Sequence, residues 1–105
     1  MTEEEIIAAF EECDDEYLRV ECDERLVDVR ADLHAMCLLD KLLRGPDFVS
    51  AISTRDIICG ANHDIVYLAA TVSTLAETTI TREDIITLLR CGVHLEDEEY
   101  LSLFC

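Results

Sequence analysis

From Met1 to Arg44 the chain contains neither glycine nor proline, and the first break is the pair Gly45-Pro46. With no residue that frees or blocks the backbone, the period of the apolar residues decides the structure of this half. In the stretch Asp23 to Arg44, DERLVDVRADLHAMCLLDKLLR, the residues Leu26, Val29, Leu33, Met36, Cys37 and Leu43 recur as one face of a helix does. Val27, Leu38, Leu39 and Leu42 widen that face toward the C-terminal end, which predicts cover on more than one side there. Asp28 and Asp32 lie one turn apart on the other side. Gly45 suits the left-handed position after a helix, and Pro46 cannot continue one. The stretch predicts a single long central helix over 23–44.

Upstream, Thr2 can cap a first helix with Glu5 as its reciprocal partner, and Glu3, Glu4 and Glu5 favour the positive end of the helix dipole. Ile6, Ile7, Phe10 and Cys13 form its apolar stripe. Tyr17 to Cys22 reads two ways. Alternation of Leu18, Val20 and Cys22 against Tyr17, Arg19 and Glu21 suits a strand, whereas Leu18, Cys22 and Leu26 would let the long helix begin near Asp15. The lack of turn residues favours the helix.

Beyond Pro46, Phe48, Val49 and Ile52 predict a short helical turn. Two β-branched runs, 56–59 and 65–69, flank Gly60-Ala61-Asn62-His63-Asp64 and predict a hairpin. A connection over 71–79, with one helical turn around Leu75, leads to the clearest local signature. Thr81 is placed to cap a helix, Glu83 and Asp84 fall in its first turn, and Ile80 and Ile85 are spaced as a hydrophobic staple. Ile85, Ile86, Leu88 and Leu89 make the buried face, and Cys91-Gly92 ends the helix. Val93-His94-Leu95, a turn over 96–99, and Tyr100 to Phe104 predict a second hairpin. The class is α+β: one domain over 1–105, a helical N-terminal half packed on a small, mostly antiparallel sheet.

The chain carries 24 acidic residues against 8 Lys and Arg, a formal net charge of −16. Such a surface repels nucleic acid and anionic membrane, so direct nucleic-acid or membrane binding is not expected, and a partner recognised by charge should be basic. Half of the residues are apolar, which separates this chain from acidic disordered segments. No apolar run reaches the roughly 18–20 residues of a membrane span. The start, MTEEEIIAAF, is acidic where a secretory signal is basic, so an intracellular, cytoplasmic setting with reduced thiols is expected for the six cysteines.

Catalytic signatures are missing: there is no Gly-rich phosphate loop, no His-Glu-x-x-His and no Gly-x-Ser-x-Gly. The expectation is a non-enzymatic protein without cofactor or metal. Cys59 with His63 and Cys91 with His94 could form a zinc site if the hairpins converge, but neither half is a Cys-x-x-Cys, and packing cysteines explain the pattern more simply. His34 and Cys37, one turn apart, read as a helix-edge histidine beside a core cysteine. The run Glu96 to Glu99 reads as a solvated turn.

The remaining candidate is the acidic N-terminal face. Glu4, Glu5, Glu11, Glu12, Asp14, Asp15, Glu16, Glu21, Asp23 and Glu24 lie within the first 24 residues. On a helix, carboxylates three and four apart stand about 5–6 Å from each other, close to the spacing of phosphates along a strand. Such a face can occupy a groove built for nucleic acid. A like-charged, solvated surface is the plain alternative.

HDIVYLAA followed by LAETTITREDIITLLRCGVHLEDEEYLSLF resembles small acidic proteins carried by phages and mobile elements of gut Firmicutes: a strand, a capped helix ending in Arg-Cys-Gly-Val, and a closing hairpin. The resemblance covers 63–104. Proteins of this size, charge and setting include anti-CRISPR inhibitors, several of which occupy nucleic-acid-binding sites on Cas proteins. What the resemblance implies is an inhibitor in a host cytoplasm, bound to a basic nuclease such as Cas9. A reading of another class is an accessory phage protein that self-associates, as a homodimer or larger, through Tyr67, Tyr100 and Phe104 on strand edges.

Overall fold

The computed structural model describes residues 1–26, 29–45 and 57–104. Its elements are α1 (Glu3–Glu12), α2 (Ala31–Arg44), β1 (Ile58–Asn62), β2 (Ile65–Thr71), α3 (Val72–Ala76), α4 (Arg82–Arg90), β3 (Val93–Glu96) and β4 (Tyr100–Phe104). Three single-turn 3₁₀ segments, Asp14–Glu16, Val20–Cys22 and Glu24–Leu26, join α1 to α2. The strands form one antiparallel sheet in the order β1-β2-β4-β3. The class is α+β, as the sequence predicts. No helix among the described residues is long and apolar enough to cross a membrane.

The short helices start where their caps put them. In α1, Glu5 N donates to Thr2 Oγ1 at 3.2 Å and Thr2 N donates to Glu5 Oε1 at 2.9 Å, a reciprocal pair. Those bonds hold the Glu5 carboxyl below the usual range. Ile6, Ala9, Phe10 and Cys13 are its buried stripe. The same device recurs at Thr71 with Thr74 in α3 and at Thr81 with Asp84 in α4. Ile80 and Ile85 are both buried at the latter start.

The central helix departs from expectation at its N-terminal end and in its face. It begins at Ala31, and the residues from Asp14 to Leu26 turn as separate 3₁₀ segments, so Tyr17 to Cys22 is neither α-helix nor strand. The cause is tertiary. Arg90 of α4 pairs with both Glu16 and Asp23, and Leu26 is buried in the core, so contacts with distant parts of the chain hold this segment in short turns. Within α2 the buried positions are Ala35, Leu39, Leu42 and Leu43, while Leu33 and Cys37 are exposed, as is Val29 ahead of the helix. The helical period is as read: Leu43 of the predicted face and the widening residues Leu39 and Leu42 are buried, whereas Leu33 and Cys37 turn outward. Val27 and Asp28, and the turn expected at Phe48, Val49 and Ile52, lie outside the described residues.

The inward face of the sheet presents Leu68 and Ala70 of β2, Leu101 and Leu103 of β4, and Val93 of β3. These join Ile6, Phe10, Leu39, Leu43, Leu75, Ile85, Leu88 and Leu89 in one apolar cluster between sheet and helices. The outward face carries Tyr67, whose ring centroid lies 6.3 Å from that of Tyr100, together with Ser102, His94 and Glu96. Tyr67, Tyr100 and Phe104 therefore belong to the two central strands and not to sheet edges, which are β1 and β3. Both hairpins form. The first closes through His63-Asp64 alone, because Gly60, Ala61 and Asn62 are part of β1. The second turns on Asp97 and Glu98, both at positive φ (53° and 55°), with Glu99 N donating to Glu96 O at 3.0 Å.

Candidate functional site

The end of α1 and the first 3₁₀ turn lie against the α4–β3 corner. Leu18, at φ 58°, donates its backbone N–H to Leu89 O at 2.9 Å and so ties the chain after Tyr17 to the end of α4. Beside it the Tyr17 ring meets the His94 ring edge-on, centroids 5.5 Å apart. Burial, then the charge of Glu96, push the Tyr17 phenol above its ordinary pKa, so it stays neutral. These contacts leave a cleft of about 520 Å³ lined by Phe10, Glu11, Asp14, Tyr17, Leu89, His94, Leu95 and Glu98. Its volume falls in the range of small-ligand clefts, about 300–1,000 Å³.

The ten carboxylates of the N-terminal candidate face are divided by the fold. Glu4, Glu11, Asp14, Asp15, Glu21 and Glu24 are exposed, and of these Glu11 and Asp14 line the cleft. Glu5 is exposed but spent on its capping bond. Glu12 accepts from Arg82 Nη1 at 2.8 Å, an exposed pair. Glu16 and Asp23 face inward: Arg90 Nε donates to Glu16 Oε2 at 2.8 Å and Arg90 Nη1 to Asp23 Oδ2 at 3.4 Å. Asp23, at 5% exposure, presents no charge to a partner. Helical carboxylate spacing holds only within α1, since the chain leaves the α-helix at Glu12.

The C-terminal turn contributes what the sequence reading left as solvated. Glu98 lines the cleft together with Glu11 and Asp14. Glu96 belongs to a polar cluster on the outward sheet face: its Oε1 accepts from Ser102 Oγ at 3.0 Å and lies 2.9 Å from His94 Nε2, while Ser102 Oγ is 3.2 Å from the same nitrogen. Strand alternation, with His94 and Glu96 two apart and Ser102 across the register from His94, was the available signal for it. This is no Ser-His-acid relay. In a relay the carboxylate holds one ring nitrogen and the hydroxyl the other, whereas here both meet Nε2. Ser102 is fully buried, and His94 Nδ1 is a buried nitrogen with no hydrogen-bond partner.

Cys59 and His63 belong to the β1–β2 hairpin, and Cys91 and His94 to the corner entering β3, so the four sit toward opposite edges of the sheet. Cys91 is buried, while Cys59 is exposed with its thiol 3.5 Å from Tyr67 O. Among the described residues no group of three or more His, Cys, Asp or Glu is placed to hold a metal ion. His34 and Cys37 remain one turn apart on α2, with Cys37 exposed where a core cysteine was expected. Compared with protein-family models, curated proteins and solved structures, the chain matches none.

Proposed function

We propose that this chain is a non-enzymatic interaction protein whose acidic face binds the basic nucleic-acid-binding surface of a host nuclease and inhibits it, in the manner of anti-CRISPR proteins. The observation that carries the proposal is the exposure of Glu4, Glu11, Asp14, Asp15, Glu21 and Glu24, with Glu98 sharing one cleft with Glu11 and Asp14, on a chain of net charge −16. Concentrated negative charge raises the local density of a cationic partner and repels nucleic acid, so the face competes with phosphates for a basic groove. The resemblance of 63–104 to small phage proteins supports a nuclease as the partner and makes Cas9 the first to test.

The experiment is capture of purified Cas9 and of other basic nucleases at low and at high salt. Binding that weakens steeply with salt, and on reversing Glu11 and Asp15, supports charge mimicry. Binding indifferent to both overturns it.

A second reading is self-association through the outward sheet face. Phe104 is exposed there, and at the other end of β4 Cys59, Tyr67 and Tyr100 help to line a groove of about 470 Å³. Sedimentation separates the readings: a monomer at high concentration excludes the second.

A further inference from the structure

The cleft combines two surfaces that an acidic exterior alone does not. Leu95 offers a partly exposed apolar side chain over the buried Phe10 and Leu89, Tyr17 and His94 offer rings, and Glu11, Asp14 and Glu98 bring carboxylates from two distant parts of the chain. An anion is repelled by those carboxylates. A point cation finds no coordination sphere, because the described residues gather no metal-holding group there. What fits both surfaces is an elongated cation with an apolar stem. Lysine and arginine have that shape, burying their methylenes while the head reaches charge. Arginine fits better: its planar guanidinium is more weakly hydrated, stacks on aromatic faces such as that of Tyr17, and spreads five donors over several carboxylate oxygens.

We infer that this cleft is the anchor of the acidic face and receives an arginine side chain of the basic partner. The inference rests on the proposed function in taking that partner to be a basic protein. It adds that binding energy is concentrated at one site, as buried arginine anchors concentrate it in other interfaces, and is not spread over every carboxylate.

The test uses the full chain and a short glycine-serine peptide carrying one arginine, beside the same peptide with citrulline in its place. Amide ¹H–¹⁵N spectra read the site. The arginine peptide should shift Glu11, Tyr17, His94, Leu95 and Glu98, and the citrulline peptide should not. Glu11→Gln with Glu98→Gln should weaken arginine-peptide binding about tenfold, while Glu4→Gln with Glu21→Gln, outside the cleft, should leave it within about twofold. Glu98→Gly, which removes the charge and eases the turn, guards against a loss that comes from misfolding. Shifts spread evenly over the acidic residues, or equal losses in the two double variants, overturn the anchor. Capture of a nuclease by the Glu11→Gln, Glu98→Gln chain as strongly as by the parent also overturns it and leaves the acidic-face reading standing. If no basic nuclease is captured while the arginine peptide still shifts the cleft, the proposed function falls and the anchor stands.

Discussion

Arg90 Nε and Glu16 Oε2 lie 2.8 Å apart although 74 residues separate them in sequence. The same guanidinium reaches Asp23 at 3.4 Å, so one arginine at the end of α4 holds both ends of the segment that leads out of α1. Without it, Asp23 would be a buried carboxylate lacking this cationic partner. Removing one partner of a fully buried pair costs about 3–5 kcal/mol. The Arg90 side chain is 21% exposed and partly screened, so Arg90→Met should cost about 2 kcal/mol in urea unfolding. A loss indistinguishable from zero would mean that the pair leaves folding untouched.

The same pair sets a pH dependence. Hydrogen bonding to Arg90 holds the Glu16 carboxyl below its usual range. A folded-state pKa that is depressed contributes stability above the unfolded value, and that contribution is lost as pH falls through the folded value. The gap between the parent and Arg90→Met should therefore be full at neutral pH. It should narrow as pH drops below about 4.3, the ordinary glutamate value, and on through Glu16's lower one. Relief of general charge repulsion acts on both chains and largely cancels in the difference. Urea midpoints from pH 7 to pH 3 check this, and a constant gap contradicts it.

Where structure was set locally, the sequence was legible. The capping pairs Thr2 with Glu5 and Thr81 with Asp84 mark true helix starts, because their bonds close within one turn. The hairpins were legible for the same reason, apart from the short His63-Asp64 loop. What escaped was set from afar. Nothing near Asp23 announces Arg90, and so the long helix was extended eight residues too early. The candidate face suffered likewise, since Glu16 and Asp23 read as surface acids until α4 is in place. Glu98 joined the site for the converse reason: only the β3–β4 hairpin brings it to α1.

In α2 two apolar stripes compete, and the packed one is testable. Leu39 is fully buried, whereas Leu33 is 57% exposed. Leu39→Ala should cost about 3 kcal/mol through lost contact and the cavity left behind. Leu33→Ala should stay within about 0.5 kcal/mol. Equal losses at the two positions would mean that Leu33 is covered in solution, and would turn attention to self-association through this helix.

Gly92 closes α4 at φ 98°, and a Cβ there would stand 2.9 Å from Leu18 Cδ2 and 3.1 Å from Phe104 O. The leucine methyl can move, but the carbonyl accompanies a strand bond, since Phe104 N donates to Gly92 O at 2.9 Å. Gly92→Ala should therefore cost the left-handed penalty of about 1–2 kcal/mol and more for displacing β4. Thermal unfolding measures it. A stability unchanged within error would show that the corner relaxes freely.

The β3–β4 turn puts non-glycine residues at positive φ. Asp97 and Glu98 both hold left-handed dihedrals, as in the tight turns that favour Asn-Gly or Asp-Gly. Aspartate tolerates that conformation, whereas glutamate has no local hydrogen bond to offset its Cβ clash. Glu98→Gly should therefore raise stability by about 1 kcal/mol, and removing one of the clustered charges acts in the same direction. Because Glu98 also lines the cleft, the variant should unfold at a higher urea midpoint while binding the arginine peptide more weakly. Gain in both properties would place Glu98 outside the binding site, and loss of stability would mean that its side chain supports the turn.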